Sequence, residues 1–493
     1  MRPIAVVLVL IALMLAALFG APPARAADLT AATEAELVAA LAAVNAAGAG
    51  THTITLTASI TLTAPLPPLN NPAATSLILD GGGHTLDGGG HGPVLSVAAG
   101  TTATVRAIIV AGGSAERGGG IHNAGNLTIA NSTIAGNSAA RGGGVYVEAV
   151  AGRASLTMTD AIVTGNEAAL GGGLHAYATG GHVAGVALTR VAVRYNRATG
   201  DGGGIGLLAE AEGVVNLTMT DNTLLQNVGQ QGGGLGSLAD GGRVSANVIR
   251  SAVESNRAAA GGGLFHGAQN GGGSQLDVVQ STLAHNRATN AGGGIANWAR
   301  GGGTVQLTLF NATLSANRAD VDGGGLHSAV ADGSAAANLA YSTLAGNTAG
   351  AGGGGIHTVA FGGASTATLT ATLVSNSAGD GPDCERPSGS IISTGYNLAG
   401  DGTCNLLQGS DQPAALAGLE PLALNPPGAT ATHGLRFASA ALDRIPPGAA
   451  GCGTIIKTDQ RGAPRPAGAR CDVGAFEQQP GDVEVFRVYV PFG

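Results

Sequence analysis

The sequence predicts an all-β protein whose fold is a right-handed parallel β-helix of about a dozen coils. The main observation is an internal repeat marked by one Asn, which returns at intervals of 29 to 31 residues. A second is that segments such as "VQLTL" alternate apolar and polar residues, whereas no repeat has helical periodicity of useful length. A fixed period of this kind is typical of solenoids, in which each repeat packs only on its neighbours. The marker residues are Asn137, Asn166, Asn196, Asn227, Asn256, Asn286, Asn317, Asn347 and Asn376.

Each repeat is predicted to contain three short strands that pair with the equivalent strands of the next coil. One strand ends just before the Asn, one follows a Gly-Gly-Gly, and the third resembles "VQLTL". A leucine-rich horseshoe is excluded because the repeats have neither its Leu spacing nor a helix. Thr fills six of nine places four residues before the Asn, and the next residue is always apolar. These apolar residues are Ile134, Val163, Val193, Leu224, Val253, Leu283, Leu314, Leu344 and Leu373.

The recurring Asn and Gly residues are interpreted as turn residues. Stacked coils would place equivalent residues ~4.8 Å apart, the spacing of paired strands. An Asn at a sharp turn can satisfy local backbone groups and bond to the Asn residues above and below it. We therefore expect an Asn ladder along the solenoid. The glycines are expected to supply positive φ or a close backbone approach at the next corner.

The remaining segments are interpreted as processing and end-covering elements. Residues 1–26 resemble a signal peptide, and the alternative of a membrane anchor is disfavoured by the short apolar run and the Ala-x-Ala site. Residues 27–50 are predicted to form a capping helix, with Thr33 and Glu36 as a capping box and Gly48 at its end. The β-helix is assigned to residues 51–380, a C-terminal region covering the other end to 381–480, and a tail strand to 481–493. No transmembrane span is expected in the mature chain.

Charge and cysteine content restrict the compartment and the partners. The formal net charge is -8 and the chain has a single Lys, so no basic surface for nucleic acid is expected. The four cysteines are confined to the C-terminal region, which in an exported chain indicates two disulfides. Local pairing of Cys384 with Cys404 and of Cys452 with Cys471 is the simplest arrangement, although four cysteines allow three connectivities.

Two C-terminal stretches carry a family resemblance. "GYNLAGDGTC" (395–404) and "DQRGAPRPAGARCDVGAFE" (459–477) resemble the choice-of-anchor Q domain of bacterial β-helix proteins, which are similar to polymorphic outer-membrane proteins. The stretch "ASAALD" (438–443) departs from the Gly-Ser-Pro-type turn that is more usual there. The resemblance implies a secreted or cell-surface protein with a parallel β-helix. It implies neither an anchoring mode nor a reaction.

One candidate catalytic row stands six residues before the marker Asn. Asp160, Arg190, Asp221 and Arg250 would alternate in charge along successive coils. Polysaccharide lyases use acid and Arg clusters for metal binding and proton transfer, so Asp160, Arg190 and Asp221 are the catalytic candidates. The favoured interpretation is a surface ion-pair ladder, worth ~0.2–1 kcal/mol per pair.

A candidate binding row stands one residue after the marker Asn. Arg257, Arg287 and Arg318 fall in consecutive coils, where stacked like charges repel unless solvent or an anion screens them. The row could bind an anionic glycan or phosphate. The alternative, which the sequence favours, is a solvated row relieved by Asp320 and Asp322.

A weaker candidate is a metal site. His327 and His357 follow the glycines of adjacent coils and could share a divalent metal, but exposed strand residues explain them equally well. No cofactor is therefore expected, except that calcium would be possible in a lyase.

The function that these patterns favour is non-catalytic. We expect an extracellular or cell-surface protein whose extended surface adheres to a polysaccharide or to a host or matrix protein. The alternative is a polysaccharide lyase or glycoside hydrolase of the pectate-lyase-like type, which rests on fold analogy alone. When the repeats are aligned, no position brings several charged residues together at one point, and nothing in the alignment indicates an oligomeric state.

Overall fold

The computed structural model describes residues 27–375 and 381–482, and it confirms the predicted fold class. The chain forms a parallel β-solenoid of about 11 turns, close to the dozen predicted. Among the described residues, no helix is long and apolar enough to cross a membrane. The predicted signal peptide, Asn376 and the tail from residue 483 onward lie outside the described residues.

Each full coil contains four strand positions, named here in order from the Gly triplet onward. First strands are Leu95–Val97, Ile121–Asn123, Val145–Ala149, Leu174–Ala178, Ile205–Glu210, Leu235–Asp240, Leu264–Gln269, Ile356–Ala360 and Cys384–Glu385. Second strands are Asp28–Ala31, Thr51–Leu56, Ser76–Asp80, Thr102–Arg106, Asn126–Ala130, Ala154–Thr159, Val183–Thr189, Val214–Thr220, Arg243–Ile249, Gly273–Val279, Ala364–Thr370 and Ser390–Ser393. In two coils, Ile295–Phe310 and Leu326–Ala340 run through both positions.

The other two positions hold shorter strands. Third strands are Ile60–Thr61, Thr85–Asp87, Ile109–Ala111, Thr133–Ala135, Ile162–Thr164, Ala192–Arg194, Thr223–Leu225, Ala252–Glu254, Thr282–Ala284, Thr313–Ser315, Thr343–Ala345, Leu373–Ser375 and Leu398–Ala399. Fourth strands are Ser114–Arg117, Ser138–Arg141, Glu167–Leu170, Arg197–Ala198, Arg257–Ala260, Arg287–Ala291, Arg318–Ala319 and Thr348–Ala349. The fourth strand was not predicted, because two to five residues between an Asn and glycines show no readable alternation.

Inward side chains of all coils form one continuous apolar core. Pairing is parallel and in register, so that Leu283 lies beside Leu314, which lies beside Leu344. In the last repeat, the apolar residue three before the marker Asn, Leu373, is not the core residue. Val374, and not Leu373, pairs with Leu344 and joins the core. Leu373 instead faces outward and is buried against the C-terminal region.

The marker Asn residues from Asn137 to Asn347 are buried at the turn between third and fourth strands. Asn286 donates from its backbone N–H and from Nδ2 to the side-chain oxygen of Asn317, at 3.0 and 2.9 Å. Its Nδ2 also donates to the carbonyl oxygen of Val253 in the preceding coil, at 2.8 Å. The residue before each described Asn has a positive φ, such as His285 at +57°. The turn therefore needs a side chain that can bond to two coils at once.

The Gly triplet forms the next corner, and two of its members show why glycine is required. Gly261 has a φ of +64°, a conformation that residues with a Cβ rarely adopt. At Gly262 a Cβ would lie 2.5 Å from the carbonyl carbon of Arg287 and from the carbonyl oxygen of Gly293. The fourth strand of each coil is thereby packed closely against the next coil.

The N-terminal end of the solenoid is covered by one helix, α1 (Glu34–Asn45). Thr33 and Glu36 form the capping box, with the Thr33 hydroxyl accepting from the Glu36 N–H and the Glu36 side chain accepting from the Thr33 N–H. Leu37 and Leu41 point into the solenoid core and are at most 1% exposed. The helix therefore buries the apolar rung that an open end would expose to water.

The C-terminal region contains both predicted disulfides, Cys384–Cys404 and Cys452–Cys471, which confirms the local pairing. Its regular elements are the antiparallel strands Leu419–Ala423 and Thr432–Leu435 and the 3-10 turns Gly402–Cys404 and Ala449–Gly451.

This region does not simply cover the open end, as the sequence had suggested. Residues up to 399 add strands to the stack, and the rest folds back along the outer face of the third strands. There Gln460 bonds to the hydroxyls of Thr282 and Thr313, at 2.9 and 2.6 Å, and Thr343 accepts from the N–H of Ala475. The recurring Thr column is therefore a docking surface for the "DQRGAPRPAGARCDVGAFE" stretch.

Candidate functional site

The candidate catalytic row lies at a surface corner between second and third strands. Asp160, Arg190, Asp221 and Arg250 all have positive φ values, from +44° to +58°. Arg190 bonds to both carboxylate oxygens of Asp160, at 2.6 and 2.8 Å, and Arg250 bonds likewise to Asp221, at 2.8 and 3.0 Å. The hydrogen bonds from Arg190 lower the pKa of Asp160, although this carboxylate is solvent-exposed.

This row therefore consists of two separate ion pairs, each joining adjacent coils. Asp160 and Asp221 are each paired with one guanidinium at an exposed corner of the solenoid. Exposed pairs of this kind contribute little to stability but favour the correct register between coils.

The candidate binding row, called here the Arg stripe, consists of Arg257, Arg287 and Arg318. The three side chains are exposed and lie beside one another at the start of consecutive fourth strands. Asp320 bonds to Arg287 at 2.9 Å and to Arg318 at 3.3 Å, whereas Arg257 has no ion pair among the described residues. One carboxylate thus pairs with two of the three guanidinium groups, and the stripe keeps an excess of positive charge.

Asp322 does not relieve this stripe, contrary to one sequence-based expectation. Its carboxylate makes no ion pair with an Arg among the described residues, and it lies instead beside two imidazoles. The Nδ1 atoms of His327 and His357 are 3.0 Å apart, and their rings stack at 5.0 Å with an interplanar angle of 6°. These three side chains are the described residues best placed to hold a metal.

A further polar cluster lies on the outer face of the first strands, where the sequence had indicated no convergence. Arg117 precedes the Gly triplet of one coil, His122 follows it, and Glu148 belongs to the next coil. The carboxylate of Glu148, which is 7% exposed, accepts hydrogen bonds from Arg117 and from Nε2 of His122 at 2.9 Å. The hydrogen bond from His122 and the charge of Arg117 hold the pKa of Glu148 below its usual value, although burial opposes this.

Two buried rings extend this cluster into the following coils. Tyr146 stacks between His122 and His175, with centroid distances of 5.7 Å on both sides. Burial raises the pKa of Tyr146 to about 12 and lowers that of His175 to about 3. Neither ring nitrogen of His175 has a hydrogen-bond partner among the described residues. At neutral pH the tyrosine therefore keeps its proton and the imidazole is uncharged.

The same surface continues with a second Arg and two acids. The guanidinium of Arg141 lies over the ring of Tyr177, 5.5 Å from its centroid, and the Tyr177 hydroxyl donates to Glu210 at 2.8 Å. Asp201 stands before the Gly triplet 202–204 of the coil that contains Glu210, and burial raises its pKa to about 6. Charged groups from several coils therefore lie along this surface.

The sequence alignment on the marker Asn did not reveal this polar cluster, for a geometric reason. Arg117 and Glu148 stand at different positions of the repeat and in different coils, so their contact is not visible at any one aligned position. The only available signal was the position before the Gly triplet, which holds Arg117, Arg141 and Asp201. That position faces the first strand of the next coil because the triplet packs so closely.

Comparison with known proteins assigns no family. No protein-family model matches the chain, and no curated protein matches it. What the structure supports is a parallel β-solenoid repeat protein with two disulfides.

Proposed function

We propose that this chain is an exported surface protein that binds an acidic polysaccharide through the Arg stripe, without cleaving it. The observation that carries the proposal is the excess of Arg over acid at Arg257, Arg287 and Arg318. The guanidiniums of Arg190 and Arg250, by contrast, are each held by a carboxylate. Export is supported by the signal-like residues 1–26 and by two disulfides, which persist in oxidising compartments.

The physical argument rests on stacked like charges. Parallel pairing holds the three guanidinium-bearing strands at a repeat of ~4.8 Å, so their repulsion is relieved by an anion that spans several coils. A guanidinium binds carboxylate, sulfate or phosphate oxygens through paired hydrogen bonds. A linear polymer with regularly spaced anionic groups fits this row better than a single small anion, because it offers several such contacts at once.

The test compares two double variants that lose the same charge. The mature protein, Arg257→Ala/Arg287→Ala and Arg190→Ala/Arg250→Ala would be assayed for binding to immobilised polygalacturonate and to a neutral polysaccharide. The first variant is expected to lose at least about tenfold in affinity, and the second to stay within about twofold. Equal weakening by both variants, or no binding by the parent protein, would refute the stripe as the site.

A second candidate function is supported by one specific observation, the convergence of Arg117, His122 and Glu148 beside Tyr146. An acid held by a guanidinium and an imidazole is a set of groups that a polysaccharide lyase or hydrolase could use for proton transfer. Tyr146 is 0% exposed, so it would position His122 by stacking and would not contact the substrate. Release of new chain ends that Glu148→Gln abolishes would favour this function.

A further inference from the structure

Asp322, His327 and His357 come from two adjacent coils and meet at one point. Asp322 precedes the Gly triplet of its coil, His327 follows that triplet, and His357 follows the triplet of the next coil. One ligand atom from each residue lies within 4.8 Å of the other two. His357 is 5% exposed, while Asp322 and His327 are partly exposed, so the cluster is open to solvent on one side.

The spacing of the imidazoles suits a metal ion. Two nitrogen ligands at ~2.1 Å from a cation lie about 3.0 Å apart at a right angle and about 3.4 Å apart at a tetrahedral angle. The observed distance between the Nδ1 atoms of His327 and His357 is 3.0 Å, with both rings nearly parallel. The two Nδ1 atoms, which contact each other at hydrogen-bond distance, are therefore as close together as two ligands of one ion, and a ligand oxygen of Asp322 lies within 4.8 Å of a ligand nitrogen of each ring.

The acid of the cluster is also available. The Asp322 carboxylate has no hydrogen bond or ion pair among the described residues, which leaves its oxygens free to bind an ion.

Space for an ion is provided by Gly352. In other coils the position before the Gly triplet holds a side chain, such as Arg141, Asp201 or Ala291, but here it is glycine. A Cβ on Gly352 would lie 2.6 Å from Oδ1 of Asp322, and 2.7 Å from Cδ2 and 3.2 Å from Nε2 of His357. A side chain at this position would therefore occupy the space between the acid and the imidazole.

We infer that Asp322, His327 and His357 form a binding site for one transition-metal dication of the Zn²⁺, Co²⁺ or Ni²⁺ class. Two imidazoles and one carboxylate are the ligands that these ions prefer, and they leave one or more positions for water. The ion would join adjacent coils and would satisfy the unpaired carboxylate. This site is separate from the Arg stripe and does not depend on the proposed binding of polysaccharide.

The test is a titration of the full mature chain, stripped of metal, with Zn²⁺ and separately with Co²⁺. Calorimetry is expected to show one equivalent of Zn²⁺ per chain, and Co²⁺ is expected to give visible absorption bands from its bound ligands. His327→Ala/His357→Ala should abolish both signals, and Asp322→Asn should weaken binding at least about tenfold. Gly352→Ala keeps all three ligands and should also weaken binding, because its methyl group fills the site.

The matched control is His182→Ala/His285→Ala, which removes two imidazoles that lie outside the cluster. This control should bind Zn²⁺ as the parent does. Thermal melting of each variant without metal would show whether it folds. If the double His variant does not fold, Asp322→Asn and Gly352→Ala still test the site. The inference would be overturned if the parent protein binds neither ion stoichiometrically. Equal weakening by the control and the cluster variants would overturn it as well.

Discussion

The Asn ladder makes the most direct prediction about stability, and Asn286 is the best position to test it. The residue is 0% exposed and lies in the middle of the described ladder. Its side chain makes four hydrogen bonds. It donates to the carbonyl of Val253 and to Asn317, at 2.8 and 2.9 Å, and it accepts from the N–H and from Nδ2 of Asn256, both at 3.0 Å.

Replacing Asn286 by Ala removes all four bonds and leaves the buried N–H of Asn256 without an acceptor. An orphaned buried donor costs ~1–3 kcal/mol, and each of the other bonds contributes ~0.5–1.5 kcal/mol net. Nδ2 of Asn256 still donates to the carbonyl of Leu224, and Oδ1 of Asn317 still accepts from the backbone N–H of residue 286, so the loss lies toward the lower part of that range. We expect the free energy of unfolding to fall by about 3–5 kcal/mol.

The assay is urea denaturation followed by circular dichroism, with hydrogen exchange to locate the weakened coils. The control is Asn338→Ala, which removes an exposed Asn on the outer face of Leu326–Ala340 and should change stability by less than about 0.5 kcal/mol. Faster exchange should be confined to coils next to Asn286, because solenoid stability is a sum of neighbour contacts. An Asn286→Ala protein as stable as the control would refute the ladder as a stabilising feature.

Three further predictions concern pH, covalent bonds and surface charge. Because burial holds the pKa of His175 at about 3 against 6.5 for the free side chain, the unfolded chain takes up this proton first as pH falls. Stability should therefore decline progressively below about pH 6.5. His175→Phe, which loses no hydrogen bond, should reduce that decline in urea midpoints measured between neutral and acidic pH. Removing the second disulfide through Cys452→Ser/Cys471→Ser should lower the free energy of unfolding of the C-terminal region by about 2–4 kcal/mol, measured by protease sensitivity. Asp221→Asn should change the unfolding midpoint by the equivalent of less than about 1 kcal/mol, since its partner Arg250 is an exposed surface residue; a larger loss would contradict this assignment.

The sequence predicted the fold well because the solenoid repeats one local solution. A buried Asn such as Asn286 and a Gly triplet such as 261–263 recur from Asn137 onward, so each appears at a fixed position when the repeats are aligned. Errors arose where the chain departs from that repetition. In the last repeat the marker Asn376 stands two residues after the core residue Val374 instead of three, so counting back from the Asn led to Leu373.

The candidate sites were less predictable because the residues in contact stand at different positions of the repeat and belong to different coils. Glu148 meets an Arg from the preceding coil, and Asp322 turns away from the Arg stripe toward His357. These contacts depend on how closely the fourth strand of one coil packs on the first strand of the next. The distance between these two strands is set by the packing of the Gly triplet against the next coil, and it leaves no periodic signal in the sequence. Docking of Gln460 on Thr282, 178 residues away, is likewise set by tertiary structure alone.

The most direct test of the proposed function is one incubation of the mature protein with a panel of acidic and neutral polysaccharides, with and without calcium. Retained protein and newly released chain ends would both be recorded. A protein that binds without catalysis should be retained by acidic polymers, in a manner that salt weakens, and should release no chain ends. Release of chain ends from any polymer, with its loss in Glu148→Gln, would contradict the account and identify the Arg117, His122 and Glu148 cluster as an active site.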